Sequence, residues 1–210
     1  MIGIFGYGSL IQTDSRLTTV AKAQTAQPCL LAGYERLWNT RAYFLGGGIS
    51  FLGLRPQADH QTNGVFFLVD LDGYDALRQR ETGYVPVNLE ADQLLPVADN
   101  KQYLQADIAR ADRLITFCSA DSLEPTATYP IVQSYLDICL TGCLEIDDHL
   151  NQPDHDFTRQ FLDTTSGWNE HWVNDRIHPR RPFAACPRAR DIDNALRQTL
   201  PHLVDLIRNE

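Results

Sequence analysis

Two short segments of this chain combine residue types that can do chemistry. The first, Phe5-Gly6-Tyr7-Gly8-Ser9-Leu10, follows the apolar run Ile2–Phe5. A buried strand that ends in such a loop leaves main-chain N–H groups outside the sheet. Glycines let that loop bend through positive φ and bring the amides close to a ligand. Consecutive amides aimed one way suit a carboxylate or a developing oxyanion. The second segment, Arg80-Glu81-Thr82-Gly83-Tyr84, places a carboxylate where a helix stops against a glycine. There it faces the negative end of the helix dipole, which raises its pKa and suits it to proton transfer. Plainer readings stand beside both: a tight turn at a strand end, and a solvated glutamate paired with Arg78 or Arg80.

Other chemistries fit less well. Ile11 stands where both the dinucleotide fingerprint GxGxxG and the nucleophile elbow GxSxG need their last glycine, and no GK[ST] is present. His149 with His155, and His171 with His178, lack HExxH spacing and read as solvated imidazoles. The five cysteines make an odd count with no CxxC pair, which predicts reduced, mostly buried thiols. No metal and no cofactor is expected. Trp168 and Trp172, four apart, are expected to pack on one helix face in the core or at a subunit contact.

The elements that must position these residues are readable in outline. Strands are expected at Ile2–Phe5, Cys29–Trp38, Ile49–Leu54, Asn63–Val69 and Arg113–Cys118, with a flexible turn at Gly46–Gly48. Ser15–Lys22 is read as one or two helical turns. Asp70 caps a helix running to about Arg80, after which Tyr84–Leu89 resumes in extended form. The acidic, proline-containing stretch Glu90–Asp112 is read as a surface excursion. Helices follow at Ile131–Leu144, at about 156–164, and from Ile192 to Ile207, the last bent or restarted at Pro201. Strands followed by helices indicate an α+β fold.

The length of 210 residues suits one domain, and the 43% hydrophobic content supplies a core. The net charge of −9 opposes nucleic-acid binding, for which the only candidate patch is the arginine-rich segment Arg176–Arg190. No apolar run approaches the ~20 residues that a membrane helix requires, and no signal peptide is evident. A cytoplasmic protein without nucleic-acid or membrane partners is expected. The number of subunits is not readable.

Taken together, the segments resemble the γ-glutamylcyclotransferase family, above all its glutathione-degrading branch. FGYGSLI stands unchanged as Phe5–Ile11, and the R-E-x-G-Y motif is matched by Arg80–Tyr84. The proline-led helix P-x-x-x-x-Y-L is matched by Pro130, Tyr135 and Leu136, continuing to Gly142. The stretches Thr164–Trp168 and Asn174–Arg176 look instead like bacterial relatives. The resemblance covers about residues 1–145. It implies an α+β fold with a small mixed β-barrel or sheet and flanking helices, here followed by a helical C-terminal extension over about 146–210.

Carried over by residue, the resemblance implies Glu81 as the acid–base residue and Tyr7, Gly8, Ser9, Leu10 and Tyr135 as substrate-binding residues. The implied reaction cyclises a γ-glutamyl group to 5-oxoproline and releases an amine or amino acid. The loop amides would hold either the γ-carbonyl oxygen or the α-carboxylate, and Tyr135 would donate a hydrogen bond or serve as a core aromatic. The alternative is a non-catalytic small-molecule-binding member of the same fold. The R-E-x-G-Y stretch is one residue shorter than in the glutathione-specific branch, and that branch's arginine- and proline-rich segment is absent. Arg41 and Arg55 are the only basic residues expected near the site before Glu81, so a smaller or neutral-tailed γ-glutamyl substrate, such as a γ-glutamylamine or γ-glutamyl amino acid, is expected rather than glutathione.

Overall fold

A computed structural model of the protein describes residues 1–23, 25–44, 47–152, 155–181 and 186–210. The first strand, β1 (Ile2–Gly6), lies between two others. It runs antiparallel to the end of β3 (Gly47–Val69) and parallel to β6 (Arg113–Ser119). Of the apolar positions expected to be buried in the first strand, Ile4 and Phe5 are fully enclosed and Ile2 is half-buried.

The strand-like stretches 29–38, 49–54 and 63–69 are pieces of one long hairpin. In it β2 (Gln27–Phe44) pairs with β3 from Gln27–Phe66 to Phe44–Gly47. Pattern reading breaks the hairpin up because residues 55–61 are polar and exposed on both faces, so no alternation survives there. Register shifts interrupt the ladder at Ala32/Tyr34 and Trp38/Thr40. Of the expected turn, Gly46 lies outside the described residues, while Gly47 and Gly48 open β3.

Helix α1 (Thr13–Thr19) follows the N-terminal loop, and α2 (Leu71–Arg80) starts where the side chain of Asp70 accepts from the Gly73 amide at 2.9 Å. Strand β4 (Tyr84–Asn88) then pairs antiparallel with β6. The stretch after it is not the surface excursion expected. Strand β5 (Leu94–Pro96) joins β2, and α3 (Lys101–Ala109) packs alongside, because Leu94, Val97 and Leu104 are apolar anchors amid the charge.

Ile131 and Val132 form a short strand, β7, and α4 (Gln133–Leu150) begins two residues later than expected. Helix α5 (Phe157–Asp163) is capped by Asp156, which accepts from the Arg159 amide at 2.7 Å. The last helical segment restarts at Pro201, as α6 (Ala189–Thr199) and α7 (Pro201–Val204).

The C-terminal part is not purely helical, since it adds three strands. These are β8 (Thr165–Ser166) on β2, β9 (Trp172–Asn174) on β7, and β10 (Arg208–Asn209) on β9. The fold is α+β with flanking helices. The sheet stays open from β4 to β10 and is not closed into a barrel.

The arginines of 176–190 are largely spent on internal ion pairs. Arg176 meets Asp137 at 2.7 Å and Asp193 at 2.8 Å, Arg180 meets Glu210, and Arg188 meets Asp148 and Asp191. All five cysteines are free thiols, and four are buried. Among the described residues no helix is long and apolar enough to cross a membrane.

Candidate functional site

Glu81 is the residue on which α2 stops. Its amide still bonds to the Leu77 carbonyl at 2.8 Å. Gly83, at φ +94°, then reverses the chain so that Tyr84 can enter β4. Only a glycine takes that conformation without strain. The reversal turns the carboxylate inward, leaving its side chain 17% exposed, with Oε1 3.4 Å from Nε of Arg80. Burial pushes the carboxyl's pKa up, against the pull of the Arg80 and Arg181 guanidiniums. Desolvation, more than the helix dipole, is therefore what tunes this acid.

The N-terminal loop is held from behind by buried arginines. Arg36 Nη1 donates to the Tyr7 carbonyl at 3.2 Å, and Arg16 Nη1 donates to the carbonyls of Leu10 and Ile11 at 2.9 Å each. The Tyr7 hydroxyl donates to the Phe117 carbonyl at 2.7 Å, and the Ile11 amide closes a turn onto Gly8. Among the described residues no acceptor meets the amides of Gly8, Ser9 or Leu10. Ser9 Oγ accepts from Arg80 Nη2 at 3.0 Å. Among the described residues no histidine lines either of the two cavities that Ser9 borders, so Ser9 has no imidazole base beside it there.

Gly8 departs from the conformation expected of it, because its φ is not positive. The reason for a glycine is close approach: an added Cβ would come 2.9 Å from the hydroxyl of Tyr135. Tyr135 sits in the first turn of α4, edge-on to Trp38 at 5.9 Å and to Phe51 at 4.8 Å between ring centres. Burial pushes its phenol pKa up, so it remains a donor.

Tyr7, Gly8, Ser9, Leu10, Glu81 and Tyr135 all line one pocket of about 30 Å³, room for a single small group. Four residues, Ser9, Glu81, Tyr84 and Tyr135, also line an adjoining cavity of about 380 Å³. A still larger cavity of about 600 Å³ lies between α4 and the start of β2 and touches neither Glu81 nor Tyr135. Its buried cation, Arg16, is committed to carbonyl oxygens.

Pattern reading missed several residues of the site. Arg41 does line the 380 Å³ cavity, but Arg55 lies outside it, paired with Glu35 at 2.7 Å. Arg80 and Arg181 line it as well. Arg80 is adjacent to the motif glutamate, and the sequence suggests it only as that residue's ion partner. Arg181 is brought in by tertiary packing, for which the sequence holds no local signal. Its amide donates to Ser134 Oγ at 3.2 Å, and the neighbouring Arg180 amide donates to Asp175 at 2.8 Å. Asp175 is fully buried and also accepts from the amide and hydroxyl of Ser134, both at 2.7 Å. One carboxylate thus anchors the residues next to both Tyr135 and Arg181. Trp168 and Trp172 do stack, at 5.3 Å, but from a loop and a strand rather than a helix face. Trp168 also meets Trp38 edge-on, extending the aromatic packing under Tyr135.

No protein-family model matches the sequence, and no curated protein matches it. Solved structures do match in shape. One described as a γ-glutamyl cyclotransferase superposes over 80% of this chain and 90% of its own, with a TM-score of 0.53 at 11% identity. The uncharacterized protein loc79017 from Homo sapiens superposes over the same shares, with a TM-score of 0.53 at 13% identity. The chain therefore has the fold of the γ-glutamyl cyclotransferases.

Proposed function

We propose that the protein is a γ-glutamylcyclotransferase-type enzyme with Glu81 as its acid–base residue. The observation that carries this reading is the shared pocket: a largely buried carboxyl of raised pKa, the hydroxyl of Tyr135, and three amides that meet no acceptor among the described residues. The substrate's α-nitrogen attacks its own γ-carbonyl carbon. A C–N bond closes the five-membered ring, and the C–N bond to the leaving amine breaks. At neutral pH the α-nitrogen begins as an ammonium. On the way to the lactam N–H the α-nitrogen loses two protons, and the departing amide nitrogen gains two and leaves as an ammonium. Glu81 takes each proton from the first nitrogen and passes it to the second, so the carboxylate is regenerated. Such transfer contributes about 10²–10⁴-fold. Nucleophile and electrophile belong to one molecule, so holding the folded conformer supplies much of the remainder. Amides of Gly8–Leu10 bind the γ-carbonyl oxygen or the α-carboxylate, and Tyr135 donates a hydrogen bond beside them.

Incubation with a panel of γ-glutamyl peptides and amines, with 5-oxoproline measured by mass, tests the reading. Release of 5-oxoproline that depends on Glu81 is expected. Binding of such compounds without any 5-oxoproline would move the protein to the non-catalytic class.

A further inference from the structure

The 380 Å³ cavity carries more positive charge than proton transfer requires. Arg41, Arg80 and Arg181 line it against Glu81 and Asp121, three cations to two anions, in a chain of net charge −9. Arg80 is committed to Ser9, Ser15 and Thr19 as well as to Glu81. Arg41 gives one N–H to the Glu124 carbonyl, while its Nε is buried with no hydrogen-bond partner among the described residues. Arg181 stands 5.7 Å from the centre of the Phe51 ring. It lies near enough to Glu81, Tyr84 and Tyr135 to bias the titration of each. Its backbone is anchored through Ser134 and Asp175, so the guanidinium is presented from a fixed base.

Neither Arg41 nor Arg181 lines the 30 Å³ pocket against the loop. That pocket holds one small group of a γ-glutamyl head, its γ-carbonyl oxygen or its α-carboxylate, so the leaving amine extends into the larger cavity, where both arginines stand. A guanidinium in a partly desolvated cavity pairs strongly with a carboxylate, through two parallel hydrogen bonds. We propose that Arg181, with Arg41 in the same cavity, recognises a carboxylate on the leaving amine, so that the substrate is a γ-glutamyl amino acid or peptide. This rests on the cyclisation reading above and deepens it. The expectation of a γ-glutamylamine or γ-glutamyl amino acid weighed only the basic residues before Glu81. Arg181, arriving from the C-terminal segment, favours the carboxylate-bearing amino acid over the amine and readmits peptides.

The test compares γ-glutamylalanine with γ-glutamylalaninamide, which matches it in size but has no tail charge. The wild-type protein is expected to prefer the acid by tenfold or more in kcat/KM. Arg181→Gln should lose at least tenfold on the acid and far less on the amide, and Arg181→Lys should keep part of the preference. Equal wild-type values for the two compounds overturn the proposal. So does an equal loss on both in Arg181→Gln, which would put the arginine on the shared head group. Turnover of the amide keeps the cyclisation reading standing in either of those cases. If neither compound yields 5-oxoproline, that reading fails separately. Calorimetric binding of the same pair then reads the arginine, and equal affinities sink its role.

Discussion

Arg80 Nη2 donates to Ser9 Oγ at 3.0 Å, so the residue beside Glu81 grips the loop at the opposite side of the pocket. The same guanidinium bonds the carbonyl and hydroxyl of Ser15 and the hydroxyl of Thr19, locking α1 to the end of α2. Glu81 therefore shares one rigid frame with the amides of Gly8–Leu10, although 71 positions separate Ser9 from Arg80. Preorganisation of this kind is what lets a carboxyl and an oxyanion site act on one small molecule without reorganising at the moment of reaction.

Replacement of Glu81 by Gln preserves shape and removes the proton carrier. Turnover should fall by about 10²-fold or more, while ligand-induced stabilisation in thermal melts persists. A variant keeping a tenth of the wild-type kcat would send the acid–base role to another group.

The raised pKa of Glu81 has two consequences for pH. Proton abstraction needs the ionised form, so kcat/KM should fall as pH drops through a value above the ordinary 4.5. For stability the sign follows from proton binding. Between the ordinary and raised values the folded state holds a proton that the unfolded state has lost. Stability therefore falls as pH rises through that window and levels off above it. Glu81→Gln should lack this component, which melting temperatures of both proteins across pH 4 to 8 will read. Parallel profiles would mean that Glu81 is not shifted.

Gly8 and Tyr135 should behave as a coupled pair. A methyl at Gly8 meets the Tyr135 hydroxyl at 2.9 Å, so Gly8→Ala pushes the ring or the loop and weakens substrate binding. Tyr135→Phe loses one hydrogen bond but makes room. The double variant Gly8→Ala/Tyr135→Phe should therefore bind better than the two single losses added together. Double-mutant cycles detect couplings of about 0.5–3 kcal/mol between touching residues. Strict additivity would place the loop away from the ring.

What the sequence disclosed follows from which forces act locally. Asp70, Gly83 and Pro201 mark their turns and caps through backbone chemistry that each residue carries by itself, and α2 and the final restart were readable from them. The loop Tyr7–Leu10 and Glu81 were readable as motifs, and the fold brings them to one pocket. The long β2–β3 hairpin was not, because residues 55–61 of β3 are exposed and the register jumps there from Gln61 to Pro56, so no alternating buried face marks the strand as continuous. Arg181 was invisible for a similar reason: Asp175 and Ser134 place it, and no spacing rule links those three. The polar stretch after Glu90 misled because three scattered apolar anchors outweigh its charge.

Arg36 gives the sharpest stability prediction. It is fully buried, and among the described residues its hydrogen-bond partners include no carboxylate. Burial lowers its pKa to about 10, so it remains charged at neutral pH. Its donors reach the carbonyls of Tyr7, Asn63 and Phe161 and the side chains of Asn63, Thr164 and Thr165, while the guanidinium lies 3.6 Å from the Phe161 ring centre. It thereby ties the Tyr7–Leu10 loop to α5 and β8 in the C-terminal part of the chain. Arg36→Met fills the space but strands these acceptors, each costing about 1–3 kcal/mol when buried and unsatisfied. The variant should lose several kcal/mol in urea unfolding and bind ligand poorly even where it folds. Thr165→Val removes a single partner of Arg36 and should cost about 0.5–1.5 kcal/mol, which keeps the test readable if Arg36→Met does not fold. Should Arg36→Met fall within 1 kcal/mol of the wild-type protein, water or a rearranged loop satisfies those carbonyls, and the coupling between the loop and the C-terminal part is not carried by this side chain.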